Sequence, residues 1–451
     1  MKRWWIFWSG SLESKYRYAL FAVWAVIVIG YVQTKAPIIW QADWTHDDLM
    51  NSYRAFQASW KQIGLDILCF WRPSALYRPL GELFYKVLFE QFGMSAFGWR
   101  AVVSVFLIGN AFVLGHVASR LSGSMAVGLA ATAIASFHSL WSHLYLNTGT
   151  IFEILAFTFV WGGLAFYVEF HEKAWVPYAT SLIFILGLNA KESAIVLPVY
   201  VVLYEWIWKK RTPWVFCGLA IAISIAFIAG RVYGPGGLSS IGSYRPEYSL
   251  GMYARSFQQY FGPLILWQTI PLWASVAIAS LPFLLRTRLA TFAALVFPVG
   301  ILPLAFVPNR GLDGVYVACA ALALAVSSVL LLMPRENWRY AGAAVLFVIF
   351  GLWMPGLRSV NGWDKEFREI RGFHEGLKSL APVLPPKVQI RFVKEPFGPE
   401  TPWASVFATR LVYRDMTIEV AGEHNPHTKN LPASNDFAVF EWRDGKLVRL
   451  K

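Results

Sequence analysis

Long apolar runs separated by short polar turns fill the first three quarters of the chain, which then gives way to mixed polar and apolar spacing. A helix needs roughly 20 apolar residues to cross a bilayer core. Runs of that order recur around Tyr18–Val32, Phe97–Val117, Met125–Leu140, Ile151–Val168, Val176–Leu188, Ala194–Trp208, Val215–Ala229, Phe261–Leu285, Leu289–Val307, Val315–Met333 and Tyr340–Met354. They predict an all-α polytopic membrane body of about 11 spans. The first run follows Lys2, Arg3, Lys15 and Arg17 without a small-x-small cleavage site after it, and reads as an uncleaved anchor. A first loop, about residues 34–96, interrupts the pattern; its stretches Leu65–Trp71 and Leu83–Phe92 suit helices lying on the bilayer surface.

Beyond Arg358 the periodicity changes. Asp364–Leu380 has helical spacing, Val388–Val393 reads as a strand, and Phe437–Trp442 with Leu447–Leu450 around Asp444-Gly445 reads as a hairpin. The expected domains are a transmembrane body, 1–357, and a small α/β domain, 358–451. Gly234-Pro-Gly-Gly-Leu-Ser-Ser with Gly242, followed by Arg245 and Arg255, reads as the most flexible segment of the body. There is no convincing internal repeat.

Composition agrees: 56% of residues are hydrophobic and 15% charged, against about 45–50% and 25% in soluble domains. The net charge of +13 comes from 40 basic and 27 acidic residues; 15 and 12 of these lie from Arg358 onward, leaving 25 and 15 in the body. Cys69, Cys217 and Cys319 show neither disulfide nor zinc spacing.

The basic residues also set an expected orientation. With the N-terminus inside, Arg120, Lys173, Lys209-Lys210-Arg211, Arg286 with Arg288, and Arg335 with Arg339 all fall in cytoplasmic turns. An odd number of spans then places the C-terminal domain outside, on the side of the first loop.

Ionisable groups at a membrane edge are costly, so their concentration on one side points to a site. Asp47, Asp48, Arg78, His138, His143, Glu153, Lys191, Glu192, Arg231, Arg310 and Asp313 all fall on the external side. Carboxylates together with cations suit chemistry in which a hydroxyl loses a proton and a lipid-linked phosphate departs. Each group also has a structural reading. Thr45 with Asp48 resembles a capping box, and Arg78 precedes Pro79, a residue suited to opening a helix. Lys191-Glu192 occupies a tight turn, and as neighbours the two do not face each other. His138 suits a hydrogen-bonded core position, Glu153 a bond to His143 or Asn147, and Arg310 an interface anchor.

The ordered segments HDDLMN, YRPLGELFYKVLFEQFG, FHSLWSHLYLNTGTIFEIL and LNAKESAIVLPVYVVLYEW resemble the C-type (GT-C) membrane glycosyltransferases. The similarity covers roughly residues 1–357 and is greatest to bacterial family-39-like enzymes and the membrane half of TPR-containing O-mannosyltransferases. NRGLDGVYVACAALAL resembles the family's late loop, with Gly311-Leu-Asp in place of the usual Arg-Tyr adjacency. The tail is not a TPR array.

The resemblance implies transfer of a sugar from a polyprenyl-phosphate donor to a glycan, lipid or protein acceptor at the external face of a bacterial inner membrane, with inversion. Membrane lipids are expected partners and nucleic acid is not. Carried over by position, Asp47 or Asp48 is the general base, with Asp47 preferred. Arg78 and Lys191 bind phosphate, Glu192, Glu153 and His138 support the pocket, and Arg310 belongs to the late loop. Some relatives use a divalent ion; beyond the acidic pair the sequence offers no ligand set for one. The alternatives are a lipid-linked glycan polymerase or ligase, and a non-enzymatic lipid-linked sugar flippase or transporter.

Overall fold

The computed structural model describes residues 26–28, 30, 41–72, 78–138, 142–234, 236–266, 268–308, 310–352, 364–425, 428 and 431–451. The first loop carries the helices α1 (His46–Gln57), α2 (Trp60–Leu68) and α3 (Pro79–Phe92). The body continues with α4 (Ala96–Ser122), α5 (Met125–Phe137), α6 (Ser142–Leu146), α7 (Ile151–Phe170), α8 (Val176–Ala190), α9 (Leu197–Tyr204) and α10 (Trp214–Phe227). It ends with α11 (Leu250–Leu266), α12 (Leu272–Leu284), α13 (Arg288–Gly300), α14 (Leu302–Ala305), α15 (Tyr316–Ser328) and α16 (Glu336–Leu352).

Among the described residues, five helical stretches are long and apolar enough to cross a membrane: Ala96–Ser122, Thr148–Phe170, Trp214–Val232, Arg288–Ala305 and Leu312–Leu332. Met125–Phe137, Val176–Ala190 and Leu272–Leu284 are shorter apolar helices. The expected number of spans is therefore not reached by this measure. Most of the first expected span lies outside the described residues.

Two apolar runs are more broken than their composition suggests. Phe261–Leu285 is the end of α11 and all of α12, divided before Pro271, because a proline disfavours helical backbone in the residue preceding it. Ala194–Trp208 begins in a 3-10 turn (Glu192–Val196), continues as α9 and ends in a π-helical turn (Glu205–Lys209). Pro198 lies in the first turn of α9, where a missing N–H is tolerated.

Small residues bring the helices together. At Gly128 of α5 a Cβ would lie 2.6 Å from the Gly115 carbonyl oxygen of α4, so this approach depends on the absence of a side chain. Near the basic Lys209–Arg211 turn, the fully buried Glu205 accepts hydrogen bonds from Arg211 Nε (2.6 Å) and the Tyr167 hydroxyl (3.0 Å).

The C-terminal cap contains α17 (Asp364–Leu380), β1 (Gln389–Lys394), α18 (Ala404–Tyr413), β2 (Glu419–Ala421), β3 (Asp436–Arg443) and β4 (Lys446–Arg449). The sheet order is β2-β1-β3-β4; β1 is parallel to both neighbours, and β3-β4 is the expected antiparallel hairpin. Asp444 and Gly445 at its turn have φ of 50° and 79°, as a two-residue type I′ turn requires. α17 buries Phe367, Ile370, Phe373 and Leu377 on one stripe, with Phe373 4.9 Å from Phe392 of β1.

The cap packs directly on the first loop. Phe407 stacks on Tyr53 with ring centres 3.8 Å apart, and Arg410 Nη1 donates to the Tyr53 hydroxyl at 2.6 Å. Glu366 pairs with His46 at 3.0 Å, and Arg371 pairs with Asp43. These contacts fix α1 from above, and the start of α1 carries the acidic pair.

Candidate active site

A cavity of about 240 Å³ lies where α1, α3, the Asn147–Thr150 turn, the start of α7, the Lys191-Glu192 turn, Tyr244 and residues 310–314 converge. Asp47, Arg78, Glu153, Lys191, Glu192 and Arg310 all line it. Asp48 and His138 do not. His138 lies at the end of α5, where its Nε2 is 2.9 Å from the Leu264 carbonyl oxygen. The side chain of His143 lies outside the described residues.

Local helix geometry separates the two aspartates. The capping box forms as expected: Thr45 Oγ1 accepts from the Asp48 N–H at 3.2 Å, and Asp48 Oδ2 accepts from the Thr45 N–H at 3.0 Å. Successive helical side chains diverge by about 100°. Fixing Asp48 against the helix start therefore turns Asp47 away from it, into the cavity.

Asp48 is 2% exposed and paired with Arg100 of α4, Nη2 to Oδ2 at 2.8 Å. Arg100 also donates to the Asp43 carbonyl at 2.5 Å and to the Thr148 hydroxyl. Burial pushes the Asp48 carboxyl up from its ordinary range, while Arg100 and the Thr45 hydrogen bonds pull it back. Its charge is thus tied to the guanidinium beside it, and the geometry makes Asp48 a structural anchor of the loop.

Asp47 is held by Asn147, whose Nδ2 donates to Asp47 Oδ2 at 3.1 Å. The amide orientation is set by its other partners, since Asn147 Oδ1 accepts from the Gly149 N–H (2.7 Å) and the Thr45 hydroxyl (3.2 Å). A Cβ at Gly149 would lie 3.0 Å from Asp47 Cβ, so the turn can approach this closely only with glycine there.

The cations are paired across the cavity wall. Arg78, at the N-cap of α3 before Pro79, donates to both Glu192 oxygens, from Nε at 3.2 Å and Nη2 at 2.7 Å. Lys191 pairs with Glu153 of α7. Each of these two cations thus has a counter-charge, as charges withdrawn from water require. The Arg310 guanidinium lies 3.8 Å from the centre of the Tyr244 ring. Tyr244 comes from the glycine-rich segment, which forms two short 3-10 turns, Leu238–Ser240 and Gly242–Tyr244.

Sequence reasoning did not single out Arg100, Asn147 as the holder of Asp47, or Arg54 and Glu82, which also line the cavity. Arg231, which it did single out, lies elsewhere: it donates to the carbonyls of Phe70 (2.9 Å) and Asp66, pinning the end of α2.

Glu82 is 4% exposed, and its Oε2 has no hydrogen-bond partner. Burial raises its pKa to about 7 against the pull of Arg54 and Arg78. The folded protein thus binds this proton more tightly than the unfolded chain does. Stability should fall as pH rises from about 4.5 through 7, by at most about 3 kcal/mol. Thermal unfolding across that range should show the slope, and Glu82→Gln should flatten it; an unchanged slope would mean that Glu82 is not the group titrating.

The chemical inventory is a carboxylate held by an amide, two half-buried ion pairs, an arginine against an aromatic face, and a second carboxyl that is about half protonated near pH 7. Asp48, Glu153 and Glu192 are each committed to a cation, and no group of three His, Cys, Asp or Glu among the described residues could hold a metal ion. No family model, curated protein or solved structure matches the chain.

Proposed function

We propose that this protein transfers a sugar from a polyprenyl-phosphate donor to an acceptor hydroxyl at the external face of a cell membrane, with inversion and with Asp47 as general base. The observation that carries the reading is the position of Asp47: it lines the cavity, held by Asn147, and shares that cavity with Arg78, Lys191 and Arg310. The acceptor oxygen attacks the anomeric carbon as its proton passes to Asp47. The bond from that carbon to the phosphate oxygen breaks, and polyprenyl phosphate leaves with the electron pair. A phosphate leaves as an anion, so no second carboxylic acid is needed to protonate it.

Arg78 and Lys191 stabilise the departing charge. An ammonium has three donors, and Lys191 uses one on Glu153, which leaves capacity for phosphate. An apolar cavity of about 300 Å³ among α11, α12, α13 and α15, lined by residues such as Phe261, Ile278, Phe297 and Leu322, offers room for isoprenoid units.

Single-turnover assays in proteoliposomes test the reading. Polyprenyl-phosphate monosaccharides should give product, and polyprenyl-diphosphate glycans should not. Product from the glycans alone would make the protein a ligase or polymerase. Movement of donor between leaflets without any product would make it a flippase.

A further inference from the structure

A second polar crevice, of about 310 Å³, lies at the joint between cap and body, lined by Phe92 to Ser95 on one side and His374, Lys378, Leu411, Val412 and Arg414 on the other. Its charge pattern is the reverse of the cavity around Asp47. There, carboxylates accompany the cations; here, no carboxylate is among the lining residues. His374 and Lys378 stand four residues apart on α17 and so share a face. The buried His374 Nε2 has no hydrogen-bond partner. Burial and neighbouring Lys378 lower its pKa to about 4 against the pull of Asp43, so the ring is neutral near pH 7 and can still donate one N–H.

Among the described residues neither Lys378 nor Arg414 forms an ion pair. Arg414 donates from Nη2 to the Phe89 carbonyl at 3.3 Å, with its guanidinium 5.3 Å from the centre of the Phe89 ring. Two exposed cations and a buried imidazole nitrogen thus line one space whose walls carry no carboxylate, and the anion that acts on His374, Asp43, is paired with Arg371.

The place of the crevice identifies the kind of anion. α4 begins beside it at Ala96, with Ser95 at the N-cap and no side-chain hydrogen bond closing the helix start. Its 27 residues extend about 40 Å at the usual helical rise, which exceeds a hydrocarbon core of about 30 Å and carries the helix end into the headgroup layer. Phe92, which lines the crevice, and Phe97 in the first turn of α4 are 41% and 47% exposed, apolar surface suited to contact with lipid. The positive end of the helix adds to the cations already present.

We propose that this crevice binds the phosphodiester of an anionic phospholipid, which joins the cap to the edge of the bilayer beside α4. The proposal is independent of the chemistry assigned to Asp47.

The test uses the full chain in nanodiscs of phosphatidylcholine with or without phosphatidylglycerol, reading lipid retained by native mass spectrometry and hydrogen exchange over residues 93–99 and 374–378. Phosphatidylglycerol should be retained and should slow exchange in both segments. Each basic residue contributes roughly fivefold to binding an anionic lipid, so the Lys378→Ala/Arg414→Ala variant should bind about 30-fold more weakly. Ser95→Asp supplies a tethered negative charge that caps α4; it should exclude the lipid while leaving the helix intact. Retention unchanged in both variants would overturn the site. Protection by inorganic phosphate in detergent, with none from phosphatidylglycerol, would identify a soluble anion and overturn the lipid assignment.

Discussion

Asp47→Asn should lower single-turnover transfer by roughly 10²–10⁴, the usual worth of a positioned base, while donor binding stays close to that of the unaltered protein. The structure makes this substitution clean. Asn147 donates to Asp47 Oδ2, and the new amide can turn its oxygen to accept the same bond, so α1 and the Asn147–Thr150 turn keep their geometry. What disappears is the proton acceptor. Lys191→Ala should instead weaken donor binding as well as turnover, since a cation can contact phosphate before the bond breaks. It also strips Glu153 of its partner. Adding Glu153→Gln removes that orphaned charge and should restore folding without restoring donor binding. Purified variants with matched unfolding profiles decide the matter; full turnover in Asp47→Asn would remove the catalytic assignment.

Asp48→Asn should behave differently, although it is the neighbouring residue and the same chemical change. Asparagine caps a helix about as well as aspartate does, so the capping box alone forecasts almost no effect. Arg100 changes that forecast. Its guanidinium is 1% exposed and paired with Asp48 at 2.8 Å, and losing one member of a buried pair costs about 3–5 kcal/mol through the charge left behind. Thermal unfolding should show this loss, and the fraction that remains folded should keep its transfer activity. Replacing both partners, Asp48→Asn with Arg100→Met, should destabilise by less than the sum of the single changes. Loss of transfer in fully folded Asp48→Asn would move the base by one residue.

The sequence by itself determined what neighbouring residues settle among themselves. Thr45 and Asp48 are three apart and form their capping box; Pro79 opens α3; the Asp444-Gly445 turn closes its hairpin; and α17 spans the expected Asp364–Leu380. The amphipathic stripe of α17 and the left-handed turn of the hairpin are periodic or local signals, readable in a window of a few residues. Hydrophobic runs marked the membrane body for the same reason. They overstated continuity at Phe261–Leu285, where average hydropathy conceals the effect of Pro271 on backbone conformation.

The tertiary structure alone decided which charges meet. Asp48 finds Arg100 across 52 residues, Asn147 reaches Asp47 across 100, and Arg78 reaches Glu192 across 114. No spacing rule spans such distances, because partners on different helices are selected by how those helices pack. The same packing placed Glu82 and Tyr244 at the cavity and kept His138 away from it. Burial then set the demand for counter-charge: the low-dielectric edge of the bundle makes each isolated ion costly, so folding brings acids and bases together in pairs. Sequence could supply the residue types for a site, but only the packed helices could separate Asp47, which faces the cavity, from Asp48, which holds the loop in place.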